Sequence, residues 1–83
     1  MNTKLHVANL AAGTTERELQ DLFSPHGNVA QINLPVEHPS GRSRGFAIVT
    51  MATSQGVRAA ILALNGKGVG ARVLTVTEHV PAR

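Results

Sequence analysis

The chain has 83 residues, a length suited to one small domain, and 42% of them are hydrophobic, a content that favours a packed core over disorder. It has no cysteine, which excludes disulfides, thiol catalysis and zinc–thiolate sites. Eight basic residues against five acidic ones give a net charge of +3, compatible with an anionic partner without proving one.

The polar start Met1-Asn2-Thr3-Lys4 carries no signal-peptide pattern, and no apolar run is long enough to span a bilayer. A soluble, cytoplasmic protein without a membrane partner is the expectation. The stretch from Leu5 to Leu10 reads as a first strand, with Leu5 and Val7 on one face and His6 and Ala8 on the other. Thr15 and Glu18 stand at capping-box spacing, so a helix begins there. Leu19, Leu22 and Phe23 form its apolar stripe, and Pro25 and Gly27 end it.

A second strand is expected from about Val29 to Pro35, with Ile32 and Leu34 in the core and Pro35 at a strand end or edge. Residues 37–43, with Pro39 and Gly41, read as a loop. Residues 44–51 read as a third strand, apolar on both faces except at its basic start, which suits the centre of a sheet. Thr53 or Ser54 caps a second helix whose stripe is Val57, Ala60, Ile61 and Leu64, with Asn65-Gly66 as its stop. Gly68 and Gly70 predict a loose connection. Val73, Leu74 and Val76 then lie in a last strand ending near Glu78, and residues 80–83 are expected to fray.

The order is strand–helix–strand–strand–helix–strand. Two such halves with right-handed crossovers give an α+β, ferredoxin-like β-α-β-β-α-β sandwich: a four-stranded antiparallel sheet with both helices on one face and the other face open. The expected domain is 1–83, structured over about 4–79. No linker, low-complexity tract or internal sequence period is evident.

Arg44-Gly45-Phe46-Ala47-Ile48-Val49-Thr50-Met51 meets the signature K/R-G-F/Y-G/A-F-V-x-F/Y at Arg44, Gly45, Phe46, Ala47 and Val49, and departs from it at Ile48 and Met51. Leu5 to Leu10 is similar to the hexapeptide that the same family carries on its first strand. The entry Gly41-Arg42-Ser43-Arg44, the helix end Leu64-Asn65-Gly66 and the last strand Leu74-Thr75-Val76 are similar as well. Two motifs in order, with helices in the right gaps, mean that the chain resembles the RNA-recognition motif (RRM) family over nearly its whole length. Its compact size resembles the small stand-alone RRM proteins of bacteria, without the glycine-rich tail many of them carry.

The resemblance implies single-stranded RNA as the partner, or single-stranded DNA by the same chemistry, and three stacking side chains at His6, Phe46 and Ile48. Phe46 alone is a full aromatic, His6 is a weaker flat ring, and Ile48 has no π face. Each stacked base contributes about 1–3 kcal/mol, so one lost and one weakened platform would cost roughly 2–4 kcal/mol, about thirty- to a thousand-fold in affinity. Weak, sequence-tolerant binding follows, in the micromolar range or weaker.

Alternation puts Ala47, Val49 and Met51 in the core and turns Phe46 outward with Arg44 and Ile48. Arg42, Arg44 and Lys4 are candidate phosphate contacts, set against the ordinary role of solvated charge. His6 could stack on a base or, protonated, meet phosphate. Asn9 and Asn33 could offer amides to base edges or take simple turn or edge roles. Thr77 and His79 lie at the end of the last strand, where the family often makes contacts. The rival reading makes Phe46 and Ile48 an apolar patch for a protein partner or a weak homodimer.

Chemistry has little support. His6, His26, His38 and His79 show no metal-ligand spacing with the acidic residues, although His6 and His79 would approach each other if the first and last strands were neighbours. No nucleophile elbow and no phosphate-binding glycine loop is present. The expectation is a binding protein without enzyme activity, cofactor or metal.

Overall fold

The computed structural model describes residues 3–11, 13–35, 45–69 and 72–79. The elements are β1 (Lys4–Ala8), α1 (Glu16–Phe23), a 3₁₀ turn (Ser24–His26), β2 (Val29–Asn33), β3 (Phe46–Met51), α2 (Ser54–Leu64), β4 (Gly68–Val69), β5 (Arg72–Val73) and β6 (Thr75–Glu78). The main sheet has the order β2-β3-β1-β6, antiparallel at every pairing. The expected fold class and the central place of the third strand are both observed.

The helices begin as the capping residues require. Thr15 Oγ1 accepts the Glu18 backbone N–H at 3.2 Å, and Thr53 Oγ1 accepts that of Gly56 at 3.1 Å. Each bond satisfies an amide that the first turn leaves without a partner. The helices then bury one stripe each against one side of the sheet. Leu19 and Phe23 of α1 and Val57, Ala60 and Leu64 of α2 meet Leu5, Val7, Ala47, Val49, Met51 and Val76 from the strands.

Gly27 makes the closest approach between the turn after α1 and the start of α2. A Cβ built there would lie 3.0 Å from the Gly56 Cα and 3.2 Å from the Met51 side chain, and the Gly27 φ is +152°. The glycine both ends the 3₁₀ turn after α1 and lets that turn approach the start of α2.

Three sequence expectations are corrected. The second strand ends at Asn33, and Leu34 packs on the core from beyond it. Ser24–His26 is a 3₁₀ turn that holds Pro25. The loose connection after α2 is instead partly ordered as the β4–β5 hairpin, in which Gly68 pairs with Val73 and Val69 with Arg72. Val73 therefore leaves the last strand and stands 55% exposed, whereas Leu74, between β5 and β6, is buried. The expected loop at residues 37–43 and the fraying of 80–83 lie outside the described residues.

β6 is an edge strand, and its Val76 N–H donates at 3.1 Å to Oδ1 of Asn65, the residue that caps the end of α2. An edge amide that would otherwise need water or another strand is thus closed within the chain. Asn65→Ala removes this bond, and a loss of about 1–2 kcal/mol is expected. Urea unfolding followed by circular dichroism measures it, and an unchanged midpoint would show that the bond contributes nothing.

Candidate nucleic-acid interface

Strand alternation divides every central strand between core and open face. In β3, Ala47, Val49 and Met51 are buried, while Phe46, Ile48 and Thr50 are partly exposed on the side away from the helices. In β1, Leu5 and Val7 are buried, whereas Lys4, His6 and Ala8 face the open side. The register arranges these side chains in rows. Phe46, Ala8 and Thr75 form one row, and Asn33, Ile48, His6 and Thr77 the next. Gln31, Thr50 and Lys4 form a third, which His79 joins by donating its N–H to the Lys4 carbonyl at 2.9 Å.

Across these rows runs a diagonal of flat rings. The His6 ring lies 5.9 Å from that of Phe46 with 17° between planes, and 6.4 Å from that of His79 with 23° between planes. The neighbouring of His6 and His79 expected from the strand order is therefore present. Parallel, offset rings at these distances interact with one another. The ring on the other side of His6 from Phe46 belongs to His79, at the end of β6. His79 is among the candidates expected from the sequence, without this ring contact. The missing information was the strand order, which makes β6 a neighbour of β1.

Gly45 launches β3 with φ +94°, a backbone that favours glycine, and its carbonyl accepts the Leu10 N–H at 3.0 Å. This bond closes the end of β1 against the start of β3 and sets Phe46 at the sheet margin. Arg42 and Arg44 lie outside the described residues.

Asn9 is placed differently from expectation. It has φ +64°, donates its Nδ2–H to the Val73 carbonyl at 2.8 Å, and accepts a bond from Arg72 Nη1–H at Oδ1 at 3.1 Å. Both ends of the amide serve to hold the β4–β5 hairpin against the end of β1, so the turn role weighed for Asn9 is the one the structure supports.

Gln31 is the open-face residue the sequence reading missed. Val29 pairs with Met51 and Gln31 with Thr50, so Ala30 is an extra residue in the β2–β3 ladder. This bulge resets the alternation. Val29 and Ile32, three residues apart, both pack on the core, and Gln31 and Asn33 both turn to the open face. The signal was available in the spacing, since an unbroken strand cannot put positions 29 and 32 on one face.

A hollow of about 280 Å³ lies on this face, lined by Lys4, Gln31, Asn33, Ile48, Thr50 and His79. Among the described residues no group of three histidine, aspartate or glutamate side chains could hold a metal ion. No described helix is long and apolar enough to cross a membrane.

These strands and helices make an α+β sandwich with one open sheet face. The family model described as "RNA recognition motif" matches residues 5–75, and the chain belongs to that family. It is 39% identical over 77 residues to the "Putative RNA-binding protein RbpE" of Nostoc sp., covering 93% of this chain and 78% of that one. It is also 39% identical over 75 residues to the chloroplastic 29 kDa ribonucleoprotein of Arabidopsis thaliana, but spans only 22% of that protein's length. A solved Sex-lethal protein/RNA complex superposes with a TM-score of 0.92 at 31% identity, over the whole of this chain and 50% of that one.

Asn9→Ala should lower stability by about 1–3 kcal/mol, through two lost hydrogen bonds and a left-handed backbone that alanine resists. Asn9→Gly keeps the backbone free and should lose less. Thermal unfolding of both variants tests this, and an Asn9→Ala protein of unchanged stability would return the amide to the pool of ligand contacts.

Proposed function

We propose that this protein binds single-stranded RNA on its open sheet face, with Phe46, His6 and His79 as the stacking platform. The observation that carries the reading is the diagonal of three nearly parallel rings. A row of π faces accepts unpaired bases of any sequence, which a duplex cannot offer because its bases are already stacked. Family membership and relatives named as RNA-binding proteins support the same reading.

Ile48, beside the rings, gives apolar contact to a base or ribose. Lys4 on the same face, with Arg42 and Arg44 just ahead of Phe46 in the chain, meets phosphates. Thr77, in the His6 row, stands within the same footprint. With His79 in place of the missing third ring, the affinity penalty expected from Ile48 becomes smaller, because an imidazole still presents a flat face. The reading is binding without catalysis. The rival apolar patch is less favoured, since Phe46 and Ile48 are only partly exposed and, among the described residues, the exposed large hydrophobic side chains Leu62 and Val73 lie on α2 and β5.

A titration of the amide spectrum with a randomised short RNA pool at low salt tests the reading. Shifts should concentrate on β1, β3 and the end of β6, and an unchanged spectrum at millimolar RNA would overturn it. Phe46→Ala should cost about 1–3 kcal/mol of binding, roughly five- to 150-fold, with the fold intact. Loss of the fold in that variant would show that Phe46 belongs to the core.

If Lys4, Arg42 and Arg44 each neutralise one phosphate, the logarithm of the binding constant should fall against the logarithm of salt with a slope of about −2. Affinity independent of salt would remove the phosphates from the mechanism.

A further inference from the structure

We infer that the two stacked imidazoles make RNA binding proton-linked: His6 and His79 take up protons as the strand docks, so affinity falls as pH rises through the histidine range. This inference rests on the proposed RNA-binding reading.

The first observation is the pairing itself. The His6 and His79 ring centroids are 6.4 Å apart with 23° between planes, and both residues are half-buried. Imidazole is the side chain whose ordinary titration falls between about pH 5 and 8. A proton on one ring of such a pair opposes a proton on the other, because like charges at short range disfavour the charged form.

The second observation is the charge around the pair. Lys4 shares the open-face set of β1 with His6 and lines the same hollow as His79. Among the described residues, the open-face positions of β2, β3 and β6 carry amides, hydroxyls and apolar groups but no charge. Glu78, next to His79 in the chain, falls on the alternation set of the buried Val76, opposite Leu5. Arg42 and Arg44 lie outside the described residues and are further positive charges just ahead of Phe46 in the chain. A proton taken up by either ring on this face thus meets the positive charge of Lys4 and of the other ring.

RNA supplies what offsets both repulsions. Each phosphate brings a negative charge, and an opposite charge within about 4–6 Å favours the protonated ring. Protonation leaves the imidazole flat, so the ring keeps its stacking face while it gains charge. The rings therefore hold protons more tightly in the complex than in the free protein. Linkage fixes the sign. The added affinity is complete at pH values below the titration of the free rings, and it is lost as pH rises through the titration of the bound rings. A ring whose proton affinity rises about ten-fold on docking adds about ten-fold to RNA affinity, and two such rings add up to about 100-fold.

The test measures binding of a randomised short single-stranded RNA pool to the full chain between about pH 6 and about pH 8 at fixed ionic strength. Calorimetry in two buffers of different ionisation heat reads the protons taken up. Affinity is expected to fall about ten-fold or more across this range, with net proton uptake on binding. His6→Phe and His79→Phe keep a flat ring and remove the proton site. Each should weaken the pH dependence, and the double variant should abolish both the dependence and the proton uptake. Phe46→Ala should lower affinity at every pH and leave the pH dependence in place. Affinity that is flat with pH overturns the proton linkage. A dependence that survives the double substitution overturns it as well, because the protons then go elsewhere, to His26, His38 or the RNA. In both cases the RNA reading stands, since binding itself and its loss in Phe46→Ala are read separately. Failure to bind at any pH overturns the RNA reading and the linkage with it. A native amide spectrum of each variant at both ends of the pH range excludes misfolding as the cause.

Discussion

The pairing of β1 with β3 is the constraint on which the rest of the structure depends. Five residue pairs, from Lys4 with Thr50 to Ala8 with Phe46, hold the two strands in antiparallel register at the centre of the sheet. Leu5, Val7, Ala47 and Val49 are fully buried beneath the helices. Each buried Leu or Val side chain contributes roughly 1.5–3 kcal/mol. A slip of one residue would bury Lys4 and His6 and expose Leu5 and Val7, so the register is locked by the core. The open face is the other half of the same alternation. His6, Phe46 and Ile48 are presented outward because their neighbours must go inward.

The two edges of the sheet solve different problems. At β6 the Val76 amide is closed by Asn65, which joins the end of α2 to the edge strand and leaves fewer free groups for another chain to pair with. At β2 the bulge at Ala30 changes which residues face out. It adds two amides to a face that the central strands furnish mainly with rings and aliphatic groups. One edge is closed by a side chain and the other is bent by a bulge, and the second adds its amides to the open face.

Ile48 has a double consequence. It removes one π face from the octapeptide strand, and it is among the residues that line a hollow on the open face. The third ring reappears at His79, across the sheet, held by a backbone bond from its N–H to the Lys4 carbonyl. Stacking is sequence-tolerant because every base has a π face, and hydrogen bonds to a base edge are not.

The order of the two helices and the four strands of the main sheet, the cap at Thr15, a second cap at Thr53 or Ser54, the helix stripes and the inward set Leu5, Val7, Ala47, Val49 and Met51 were legible in the sequence, because they follow from local periodicity and hydrogen-bonding chemistry. So was the outward direction of His6 and Phe46, which alternation dictates once the core set is chosen. Three features were decided only by tertiary structure. His79 meets His6 because β6 lies beside β1, a neighbourhood that no local pattern encodes. Asn9 holds the β4–β5 hairpin because Val73 and Arg72, more than sixty residues away in the chain, come to it in the fold. Val29 packs on the core along with Ile32 because the pairing of β2 with β3 admits an extra residue, and a bulge exists only between two strands. Sequence alone determined which residues could be hidden from water. The long-range pairing of strands determined which of the remaining ones stand together, since that depends on contacts between segments that are distant along the chain.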